Sequence, residues 1–104
     1  MNFEIILYTK ENKGKLVAFK QNERVGYLTY AIEDKTIVHI NNLKIKKGYE
    51  QKQIENELID AIVELARNNR KQIIANNNFA KLLLEMNESY RDVLQPRDIN
   101  RALA

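Results

Sequence analysis

One side chain in this sequence titrates near neutrality without help from its surroundings: His39, the single histidine. An imidazole at that position is a candidate general base, although a lone histidine in an apolar stretch equally serves a structural role. Cysteine is absent, which removes disulfides, thiolate nucleophiles and thiolate metal ligands together. The carboxylates Glu4, Glu33 and Asp34 stand at no spacing that marks a catalytic pair or a metal site, so no metal centre is expected.

The elements that must carry these residues follow from periodicity. Phe3 to Tyr8 and Lys15 to Lys20 are strand-like, joined through the turn-rich Glu11-Asn12-Lys13-Gly14 into a hairpin. Val25 to Glu33 is apolar on both faces, as a central strand requires, and Asp34-Lys35 turns it into a β-branched strand from Thr36 to Ile45 that carries His39. Gly48 then breaks the pattern, and Ile54, Leu58, Ala61, Ile62 and Leu65 recur at helical spacing, predicting a helix from Gln53 to Asn68. In that reading Glu55 and Glu57 lie in its first turn, with Arg67 and Arg70 at its end, complementing the helix dipole. Gln72 to Ala75 is a short buried strand, and Phe79 to Met86 forms a second helix, capped by one residue of Asn76-Asn77-Asn78. The order is β-β-β-β-α-β-α, an α+β fold on a mixed, mostly antiparallel sheet.

A length of 104 residues suits one domain, read here as residues 1–94 with an extension from 95 to 104 that forms a short helix or frays. Hydrophobic residues at 44% and charged residues at 30% are those of a globular chain. No stretch is apolar enough to cross a bilayer and the start lacks a signal peptide's blocks, so a cytoplasmic location and no membrane contact are expected. The net charge of +3 is interleaved with acids and reads as a solvated basic surface, so a nucleic-acid partner is not expected.

Two blocks sharpen the fold. Val25-Gly26-Tyr27-Leu28-Thr29-Tyr30, and Ile74-Ala75-Asn76-Asn77-Asn78-Phe79-Ala80-Lys81 closing with Ser89-Tyr90-Arg91-Asp92-Val93, resemble the corresponding segments of the small single-domain GNAT N-acetyltransferases, the YjdJ-like group. The resemblance spans roughly residues 3 to 94. It implies a GNAT (acyl-CoA N-acyltransferase) fold with acetyl-CoA as cofactor and an amine as substrate. It also implies a cleft between strands four and five, bordered by Ile45 and Asn77.

The family's motifs are altered at three places. Where strand four usually ends in His-Thr-x-Val, this sequence has Asn42-Leu43-Lys44-Ile45. Where a Gly-rich loop opens the long helix, it has Glu50-Gln51-Lys52-Gln53-Ile54-Glu55. Where a cysteine precedes the closing phenylalanine, it has Asn77-Asn78-Phe79.

Loop glycines let a pyrophosphate approach the helix-start amides, so side chains at those positions oppose the ligand. A carboxylate about 4 Å from a phosphate adds repulsion of ~4 kcal/mol at an effective dielectric of 20 before screening. In this reading Glu55 and its neighbours satisfy the helix start from within, while Lys44, Lys46, Lys47 and Lys52 are either a solvated rim or replacement phosphate holders. Asn77 has no anionic form to act as a nucleophile. Tyr90 keeps an aromatic position from which a phenol could protonate a leaving thiolate. The expectation is a degenerate, non-catalytic GNAT domain with no cofactor, acting through a protein partner and with a homodimer possible. The alternative is an active acetyltransferase that retains acetyl-CoA and uses His39.

Overall fold

The computed structural model describes residues 3–94. Four strands, β1 (Glu4–Lys10), β2 (Lys13–Lys20), β3 (Glu23–Glu33) and β4 (Ile37–Ile45), are followed by helix α1 (Gln51–Asn68), strand β5 (Gln72–Ala75), helix α2 (Asn78–Met86) and a 3₁₀ segment η1 (Glu88–Val93). The element order is the expected one, with η1 added. The extension expected beyond Leu94 lies outside the described residues.

The sheet runs β1-β2-β3-β4-β5, antiparallel up to β4 and parallel between β4 and β5. The hairpin turns are tight because polar residues accept left-handed backbone: Gln21 and Asn22 have φ of 52° and 67°, Asp34 and Lys35 of 53° and 62°. The first turn is shorter than expected, since Lys10 already faces Lys13 and the loop is Glu11-Asn12 alone. Lys13 and Gly14 belong to β2 because Gly14 sits against the Tyr30 ring, where a Cβ would collide with it.

Pleat alternation divides the sheet into two faces. Leu16, Ala18, Leu28, Tyr30, Val38, Ile40, Leu43 and Ile73 join Ile54, Leu58, Ile62, Ala80, Leu84, Tyr90 and Leu94 in one hydrophobic cluster. Both helices and η1 therefore pack on that face. The opposite face, with Tyr8, Lys15, Val17, Tyr27, Thr29, Ala31, His39 and Lys44, contributes nothing to the cluster.

Helix α1 begins at Gln51, two residues earlier than its apolar stripe predicts, after Gly48 at φ 91°. Glu55 is therefore in the second turn, where it is buried, and the first turn contains no acid. The expectation that Glu55 and Glu57 satisfy the helix start is corrected by this shift. At the other end Arg67 lies in the last turn as expected, while Arg70 falls beyond it with φ 55°. No described helix is long and apolar enough to cross a membrane.

Candidate functional site

The site is created by a change of strand phase. In the β3–β4 pair Tyr30 faces Ile40 but Thr29 faces Asn42, so Asn41 is an extra residue on β4, a β-bulge. Buried positions accordingly step from Val38 and Ile40 to Leu43 rather than to position 42. Beyond the bulge β4 has no strand paired to it on its β5 side among the described residues. The last backbone hydrogen bond along this pair is the Asn76 N–H donating to the Ile40 carbonyl at 2.8 Å, after which Asn41 to Ile45 run on while β5 has ended. A wedge opens there, bounded by Asn41–Ile45 on one side and Asn76–Asn78 on the other, with the start of α1 beyond Ile45.

At the apex a chain of polar groups crosses the gap. Asn76 donates through Nδ2 to Asn41 Oδ1 at 2.9 Å and lies 3.4 Å from His39 Nδ1. His39 Nε2 is 2.8 Å from Glu33 Oε1. These partners fit the tautomer that carries its proton on Nε2, donating to Glu33 and leaving Nδ1 as the acceptor towards Asn76. Asn42 is tied to its neighbour instead, donating to Thr29 Oγ1 at 3.0 Å.

At the far end of the wedge, α1 starts without a side-chain cap. Its first internal bond is from the Ile54 N–H to the Glu50 carbonyl at 3.1 Å, so the amides of Gln51, Lys52 and Gln53 have no partner within the helix. The dipole there favours an anion, yet Glu50 is the N-cap residue. Of the lysines expected near it, Lys46 is held by Glu23 at 2.6 Å. That bond raises the Lys46 pKa and, with Tyr49, lowers that of Glu23. Lys44, Lys47 and Lys52 form no ion pair among the described residues.

Asn77 borders the wedge as expected and is the capping asparagine: its Oδ1 accepts the Ala80 N–H at 3.0 Å. Tyr90 is not part of the wedge. It is buried in the helix-side cluster and donates its hydroxyl to Asp60 Oδ1 on α1, and burial together with that bond pushes its pKa up to about 12. His39 points to the opposite face of the sheet, so the two acid–base candidates are not brought together. Glu33, Asn41 and Asn76 complete the His39 constellation without having been singled out as its partners. One signal was available, the one-residue slip of the apolar spacing at Asn41. A two-residue Asp34-Lys35 turn would face Glu33 with Thr36, whereas the loop takes in Thr36 and faces Glu33 with Ile37, which sets positions 33 and 39 on one face.

Four antiparallel strands, a helix crossing to a parallel fifth strand and a second helix make up the GNAT-like order expected from the sequence. The family model described as GCN5-related N-acetyl-transferase matches residues 11–93, and the chain belongs to that family. A GCN5-like protein from Staphylococcus aureus solved by NMR is 30% identical, covering 86% of this chain and 87% of that one with a TM-score of 0.65. A GNAT family acetyltransferase from Elizabethkingia anophelis, crystallised with acetyl-CoA bound, shares the fold at 15% identity. It covers 82% of this chain and 73% of that one, with a TM-score of 0.67. A ribosomal-protein-alanine N-acetyltransferase from Brucella melitensis does so at 16% identity, covering 74% and 64%, with a TM-score of 0.60. A comparison with curated proteins finds no match.

Proposed function

We propose that this chain is a GNAT domain that keeps the shape of the acyl-CoA wedge but has lost the chemistry of acetyl transfer, and that it acts by binding a protein partner. The observation that carries the reading is the start of α1. Every position from Glu50 to Ile54 bears a side chain, the N-cap residue is an acid, and the nearby Lys46 is already neutralised by Glu23. A pyrophosphate there meets crowding and a carboxylate before it reaches the free amides. At the other border Asn77 is committed to capping α2 and supplies no nucleophile. Support for a protein partner comes from α2, whose Phe79, Leu82 and Met86 are exposed by 39%, 52% and 72% along one side.

A second reading has its own observation. His39 lies between Glu33 and Asn76 beside the bulge; on this reading an amine displaces Asn76 from Nδ1 and gives its proton there, and the α1 amides are uncapped. On that reading the Elizabethkingia protein's ligand is also this chain's ligand, and the enzyme transfers an acyl group to an amine. Calorimetric titration with acetyl-CoA, paired with mass spectrometry of an amine mixture, separates the two. The first reading expects no saturable heat and no acylated amine; micromolar binding with acylation establishes the second.

A further inference from the structure

The face of the sheet that no helix covers over β1 to β4 sorts the charges in a way the sequence total conceals. Strand alternation and register place Lys10, Lys13, Lys15, Arg24 and Lys44 on it against two carboxylates, Glu4 and Glu33, and Glu33 is engaged by His39. The acids are concentrated elsewhere, with Glu57, Asp60 and Glu64 exposed on α1 behind the sheet.

Two shallow cavities lie on the basic face, and each combines a tyrosine with cations. One, of about 250 Å³, is lined by Tyr8, Lys10, Lys13 and Lys15. The other, of about 220 Å³, is lined by Arg24, Tyr27, Lys44 and Lys46. Tyr8 is 49% exposed, and Lys15 Nζ stands 4.6 Å from the centroid of the Tyr27 ring. Tyr8 faces Lys15, which faces Thr29, two residues from Tyr27. The rings are thus two strands and two residues apart, about 12 Å on standard strand spacings.

We propose that this open face binds single-stranded nucleic acid, with bases stacked on Tyr8 and Tyr27 and the backbone followed by Lys10, Lys13, Lys15, Arg24 and Lys44. Aromatic rings on an exposed sheet, interleaved with cations, fit a ligand that alternates flat apolar bases with phosphates. A duplex hides its bases from such rings, and an acidic peptide or anionic lipid surface offers charge with nothing regular to stack. Lys15 already covers the Tyr27 ring and is placed to move to a phosphate as a base takes its position. Lys44 is the one wedge-bordering residue used, and the two tyrosines that stack bases lie away from the wedge, so the inference does not rest on the reading of the cofactor site.

Fluorescence anisotropy of the whole chain with a labelled oligouridylate of about 12 nucleotides tests it. Affinity is expected to fall with salt between about 50 and 200 mM, with a log–log slope of about −2 to −3.5 for three to five phosphates engaged. Tyr8→Ala and Tyr27→Ala should each weaken binding by about 5-fold or more while Tyr8→Phe and Tyr27→Phe retain it. Because Tyr8 is exposed, Tyr8→Ala tests stacking without disturbing the core. No binding at low salt would overturn the proposal. So would alanine variants that bind as the parent does, or equal affinity for duplex DNA, polyglutamate or anionic vesicles.

Discussion

Asn77 Oδ1 accepts the Ala80 N–H at 3.0 Å, so the side chain standing where the family's motif has a cysteine is the N-cap of α2. Removing it in Asn77→Ala should cost about 1 kcal/mol in urea unfolding, while Asn77→Asp and Asn77→Ser should stay close to the parent. An Asn77→Ala variant as stable as the parent would contradict the capping role.

Gly14 is fixed by the Tyr30 ring that lies against it across the β2–β3 pair. A methyl there must displace a ring that is only 4% exposed. Gly14→Ala is expected to destabilise the fold by about 1–3 kcal/mol. Gly14→Ala combined with Tyr30→Leu should recover part of the loss, a coupling that a double-mutant cycle reads directly.

Acid should weaken the fold through two carboxylates. Arg67 donates to both oxygens of Asp92, at 2.8 and 2.7 Å, and this hydrogen bonding holds Asp92 below its ordinary value of 3.8. Hydrogen bonds from Lys46, then Tyr49, hold Glu23 below 4.5. A carboxyl whose folded pKa is lowered stabilises the fold above its unfolded value and loses that contribution as pH falls through the folded one. The urea midpoint is therefore expected to drop below about pH 4. Asp92→Asn should lower the neutral plateau and flatten the acid limb; an unchanged acid limb would contradict the assignment.

Alkali acts through Tyr90. Its pKa is raised to about 12 by burial and by the bond to Asp60, so the neutral phenol is favoured in the folded chain. That stabilisation is fully present below the unfolded value near 10 and is lost as pH rises towards 12. Ultraviolet difference spectroscopy should show late-titrating tyrosines, one of which disappears in Tyr90→Phe. The same variant should lose about 1.5 kcal/mol at neutral pH, the contribution of a hydrogen bond to a charged acceptor.

Much of the fold was legible because its signals are local. β-branched runs, the turn signals at Glu11-Asn12 and Asp34-Lys35, and the Ile54–Leu65 stripe each specify an element from nearby residues. The start of α1 was misplaced because an apolar stripe shows which residues face the core and says nothing of the polar turn before it. That two-residue error moved Glu55 from the helix start to a buried second turn, which leaves the anion site without the internal carboxylate expected to fill it. η1 carried no periodic signal, since a short 3₁₀ turn is fixed by tertiary partners, here Arg67 on Asp92 and Tyr90 on Asp60. The partnership of His39 with Glu33 depends on hairpin register, and that with Asn76 on a parallel pairing made across α1. Neither can be read from spacing along the chain.

The proposal that this GNAT wedge has lost acetyl transfer rests above all on the crowded start of α1, where Glu50 stands at the N-cap position without capping it. Isothermal calorimetry of the whole chain with acetyl-CoA tests it most directly. No saturable heat is expected with ligand at about 1 mM, where any binding is worth no more than about 4 kcal/mol. Saturable micromolar binding, above all with acetyl transfer to an added amine, would contradict it.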